Sequence, residues 1–65
     1  MNADQLLSEC CRMIDTEYRA YLATSSVNME DFHMLKIHKA TDTIATIFTR
    51  EMAAVIQTDI IRAVR

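Results

Sequence analysis

The chain has 65 residues, 51% hydrophobic, 25% charged and 6% aromatic, with a net charge of −2 and neither glycine nor proline. That length allows one small domain, which buries only about 60% of the surface its unfolded form exposes. The missing glycine excludes phosphate-cradling loops, dinucleotide-binding turns and tight hairpin turns, the apolar content excludes disorder, and an all-α protein is what remains.

The first predicted helix covers about residues 3–24. Leu7, Cys11, Ile14, Tyr18 and Tyr21 step by four, three, four and three along one helical face, and Leu6, Cys10, Met13 and Leu22 widen the stripe. Asn2 is placed to cap, Gln5 follows three residues later as in a capping box, and Asp4 puts negative charge in the first turn. No basic segment precedes this helix, and no run approaches the roughly 18 apolar residues of a membrane span. Adjacent cysteines cannot bridge without distorting the helix, so Cys10 and Cys11 are expected to be free thiols in a reducing, cytoplasmic setting.

A turn is predicted at residues 25–28, within the Thr24-Ser25-Ser26-Val27-Asn28 cluster, whose polar side chains compete for backbone hydrogen bonds. Asn28 then caps a second helix, with Glu30 and Asp31 in its first turn and Val27 and Phe32 as a hydrophobic staple. No breaker follows, and Arg62 and Arg65 suit a carboxyl end, so this helix is expected to run unbroken over about 29–64. The β-branched run Thr43 to Thr49 scores as a strand on propensity, but it lies inside a longer helical period.

At 1.5 Å per residue the two helices span roughly 33 Å and 54 Å, so an antiparallel hairpin leaves Glu51 to Arg65 overhanging. That overhang is apolar, and helix 2 carries two stripes. One, from Met34 and Ile37 to Met52 and Val55, faces helix 1. The other runs through Ala40, Ile44, Ile47, Glu51, Ala54, Thr58 and Ile61, with small residues that admit another helix closely. Two seams imply two neighbours, and so short a chain seldom gains more than about 3–5 kcal/mol from one core. The expected assembly is a homodimer forming a four-helix bundle, with Ile47, Ala54, Thr58 and Ile61 as the dimerisation seam. Asp59, in the continued apolar stripe, is expected to pair with Arg62 or with an arginine of a second chain, the alternative being contact with a target protein.

Chemistry is sparse. Cys10 and Cys11 are adjacent, and His33 and His38 lie five apart and point about 140° away from each other, a spacing that does not make a metal site. His33 is expected in solvent and His38 at the edge of the core stripe. Two straight helices supply neither a base beside a thiol nor an oxyanion hole, and the carboxylates do not converge. No catalytic residue, metal or cofactor is therefore assigned.

The sequence points instead to a non-enzymatic protein that binds and regulates or inhibits a partner protein, in the manner of compact helical antagonists from phages and mobile elements. The expected partner-binding residues are Tyr21, Phe32, Leu35, Lys36 and Lys39, an aromatic and aliphatic cluster with a charged rim. A second reading places nucleic acid on a helix 2 face carrying Lys36, Lys39, Thr43, Thr46 and Arg50. A dimeric helical hairpin of this length resembles the repressor-of-primer RNA-binding proteins in architecture, without a shared motif, while the overall acidity argues against nucleic acid.

Overall fold

The computed structural model describes residues 2–65, which form three helices: α1 (Ala3–Ala23), α2 (Val27–Ile47) and α3 (Arg50–Val64). Their packed bundle measures 35 × 20 × 18 Å. None of the helices is long and apolar enough to cross a membrane.

α1 begins as its sequence implies. The Asn2 side chain accepts the Gln5 backbone N–H at 2.8 Å, and the Gln5 side chain accepts the Asn2 N–H at 3.0 Å, completing a capping box. Thr24 ends the helix in extended conformation. α2 starts two residues earlier than Asn28 predicts. Ser26 is the N-cap, accepting the Met29 N–H, while its own N–H is held by the Thr24 hydroxyl. Serine and threonine hydroxyls thus reverse the chain in three residues, and Asn28 lies inside the helix. Val27 becomes an exposed first-turn residue, and no Val27–Phe32 staple forms.

The largest departure from the sequence reading is the end of α2 at Ile47. Phe48 (φ −114°, ψ −110°) leaves helical geometry, and Thr49 is extended. The Thr49 hydroxyl accepts the Met52 N–H at 3.0 Å, which caps a new helix with Glu51 in its first turn. The break needs neither glycine nor proline, because among the described residues none has positive φ. The β-branched run before it lowers the cost of breaking there. Thr41, Thr43 and Thr46 turn their hydroxyls back onto the carbonyls of Ile37, Lys39 and Asp42, a bonding pattern that weakens and bends helices. The segment that invites a strand assignment is a weak helix about to end.

α3 therefore folds back, and Glu51 to Arg65 is not an overhang. Ala53 is 1% exposed, and Ile56, Ile60, Ile61 and Val64 pack on the core formed by Cys10, Ile14, Tyr18, Ile37, Ala40 and Ile44. Polar contacts tie α3 to the hairpin: the Thr41 hydroxyl lies 2.7 Å from the Gln57 side-chain amide, and Arg65 Nε donates to the Tyr18 hydroxyl at 2.9 Å. Much of the apolar surface that implied a second chain is covered within the first, while Met52 and Val55 stay exposed. The hairpin of a short and a long helix is replaced by a three-helix bundle.

Candidate protein-binding surface

Phe32, Leu35, Lys36 and Lys39 lie on one side of α2, where spacings of three and four residues bring side chains together. Phe32 is 46% exposed and Leu35 51% exposed. Lys36 Nζ sits 4.3 Å from the centre of the Phe32 ring and 3.7 Å from Glu17 Oε1, so the ammonium group bridges an aromatic face on α2 and a carboxylate on α1. The same Glu17 oxygen lies 2.7 Å from His33 Nδ1. The Glu17 and His33 side chains are only 12% and 14% exposed, which overturns the solvent position expected for His33. At such depth an unpaired carboxylate is costly, and His33 and Lys36 supply its partners. His38, expected at the edge of the core, is exposed.

Tyr21 separates from the predicted cluster. It is half-buried against the core and stacks on Tyr18, with ring centres 5.7 Å apart at 17°. The dimerisation seam also loses its continuity. Ile47 ends α2, Ala54 and Thr58 are exposed on the outer side of α3, and Ile61 packs inward. A stripe drawn along one straight helix cannot survive a break between its first and second members. Asp59 is exposed beside Ala54, Thr58 and Arg62 in a shallow depression, so no buried carboxylate has to be neutralised there.

The open side of the α1/α2 hairpin carries a groove that sequence reasoning missed. Its volume is about 460 Å³. Leu6, Cys10 and Met13 from α1 line it together with Ala40 and Thr43 from α2; Glu9 and Glu17 bound the α1 side, and Lys36 and Lys39 the α2 side. The signal was present in the spacing of Leu6, Cys10, Met13 and Glu17, which step by four, three and four. On the sequence alone Leu6, Cys10 and Met13 read as the margin of one wide core stripe, without Glu17.

Other chemistry stays thin. Both cysteines are free. Burial, then the neighbouring Cys11 and Glu9, push the Cys10 thiol above its ordinary value of 9.0, and burial pushes Cys11 up as well. A raised thiol offers less of the nucleophilic thiolate at neutral pH. Among the described residues, no three of His, Cys, Asp and Glu gather as a metal site. The face read as a phosphate track is interrupted too: Arg50 lies beyond the break and pairs with Asp42 at 3.5 Å, and Lys36 is engaged with Glu17.

No family model, curated protein or solved structure matches the chain.

Proposed function

We propose that this chain is a non-enzymatic protein-binding module, acting in the cytoplasm as a self-associating helical bundle, that engages a partner protein and regulates or inhibits it. The observation that carries the reading is the half-exposed pair Phe32 and Leu35 beside Lys36 and Lys39. A stable fold does not need these two large apolar groups outside its core, and an aromatic anchor with a charged rim has the composition of an interface hot spot. Lys36 is held in place by Phe32 and Glu17, so little side-chain entropy is left to lose when a partner arrives. Free thiols at Cys10 and Cys11 suit a reducing compartment.

Affinity capture with the wild-type chain, compared with Phe32→Ala and Leu35→Glu, tests the proposal. A protein retained by wild type and lost by both variants, with helicity and melting temperature unchanged, supports it. Each truncation should weaken binding by at least about 1 kcal/mol, the usual threshold for residues that matter at interfaces. Capture that survives both substitutions rejects this face.

A further inference from the structure

We infer that the open face of the α1/α2 hairpin is the seat of a second copy of this chain, packed about a two-fold axis parallel to the helices. The inference deepens the self-association in the proposed function and does not depend on the target-binding role of Phe32 and Leu35.

Three features of the groove argue for a helical occupant. Its deepest residues, Cys10 on α1 and Ala40 on α2, are small and buried, which permits close backbone approach. Leu6 and Met13 flank Cys10 at helical spacing, and Met13 remains exposed although it is a large apolar side chain. α3 packs on the hairpin through Thr41 and Tyr18, and this groove between α1 and α2 is left open by it.

The charges identify which helices fit. Glu17 and Lys36 pair with each other across one end of the groove, which leaves Glu9, in contact with Arg12, as the exposed carboxylate of the α1 edge and Lys39 as the free ammonium of the α2 edge. Rotation by 180° about an axis along the bundle lays α1 of each copy over α2 of the other. Glu9 of each copy then meets Lys39 of the other, and the contact is made twice, as in any isologous interface. The alternative axis, in the interface but across the helices, sets α1 against α1 and α2 against α2, opposing like charges.

The heights also agree. Glu17 and His33 are level, since they share a hydrogen bond. Eight residues towards the start of α1 lies Glu9, and eight residues along α2 lies Thr41, two positions from Lys39. That places Glu9 and Lys39 roughly 3 Å apart along the axis at 1.5 Å per residue, within reach of two flexible side chains. The molecule's 35 × 20 Å section caps such a face at roughly 700 Å² per copy, below the roughly 800 Å² per partner of a standard interface, which is the size class of a weak dimer.

The experiment exchanges charges between copies. Glu9 and Lys39 are both exposed, so Glu9→Lys and Lys39→Glu are compatible with the folded chain, which circular dichroism will verify. Sedimentation equilibrium at about 100 μM should give a dimer for wild type. Either variant alone opposes like charges at both symmetric contacts and should raise the dimer dissociation constant at least tenfold. An equimolar mixture restores both attractions, Lys at position 9 against Glu at position 39 and the native pair opposite, and should recover the dimer. Wild type that stays monomeric, single variants that dimerise like wild type, or variants that fail to recombine on mixing would each overturn the inference. Target capture is read with Phe32→Ala and Leu35→Glu, which leave Glu9 and Lys39 unchanged, so failure of one proposal is distinguishable from failure of the other.

Discussion

Replacing Ala53 by glutamine, with Ala54→Gln as its control, tests whether α3 folds back onto the hairpin. The two alanines are neighbours on one helix, yet Ala53 is 1% exposed and Ala54 is open to solvent. Helix propensity changes equally at both sites, so any difference between the variants comes from packing. At position 53 the longer side chain must be forced between α3 and the hairpin, which costs about 1–3 kcal/mol. Its amide must then be buried without a partner, for about 1–3 kcal/mol more. A single core of this size seldom supplies more than about 3–5 kcal/mol, so Ala53→Gln should remove most of the stability. Ala54→Gln should stay within about 0.5 kcal/mol of wild type. Urea and thermal denaturation followed by circular dichroism measure both. The melting temperature of Ala53→Gln should fall by more than about 10 °C, since each kcal/mol is worth about 4–8 °C in so short a domain. Equal midpoints for the two variants would mean that Ala53 is not enclosed, and the three-helix packing would be refuted.

Thr49→Ala should cost about 1 kcal/mol by removing the cap on Met52, while Thr49→Asp, another good N-cap, should keep most of it; equal stability of all three proteins in urea denaturation would remove the cap from the account of the break. Cys10 gives a pH test. Its thiol is raised by burial and by Cys11 and Glu9, so the fold favours the neutral form. That contribution is intact below about 9.0, the ordinary thiol value, and is lost as pH rises through the higher folded value. Denaturation midpoints should therefore fall as pH rises above about 9.0 in wild type and fall less in Cys10→Ala, which itself should cost about 1–2 kcal/mol at neutral pH by leaving a cavity. Parallel curves for the two proteins across that range would contradict a buried thiol.

The helical class followed from composition and apolar spacing together: without glycine and with a helical apolar period, few other structures were open to the chain. α1 was also legible, because its signals are local. Asn2 and Gln5 meet within one turn, and Ile14 and Tyr18 face the core wherever its other walls come from. The exposed Phe32, Leu35 and Lys39 were readable for the same reason, since position on a helix wheel places a residue on one side of α2. The corner at Phe48 and Thr49 was not readable in this way. Thr49 is an adequate N-cap but also a tolerable interior residue, and local sequence does not choose between them. The choice rests on burial. A straight helix would leave Ala53, Ile56, Ile60 and Val64 in water, whereas a break lets them cover Tyr18 and Ile44 and allows Gln57 and Arg65 to reach Thr41 and Tyr18. The Thr49 hydroxyl offsets part of what the interrupted backbone loses, and the covered apolar area supplies the rest. His33 shows the same division on a smaller scale. Its place on α2 is local, but its burial depends on Glu17 from another helix, sixteen residues away. Contacts between distant parts of the chain thus decided where α2 stops, which surface α3 hides and which face of the hairpin stays open, because only they determine what each apolar stripe is covered by.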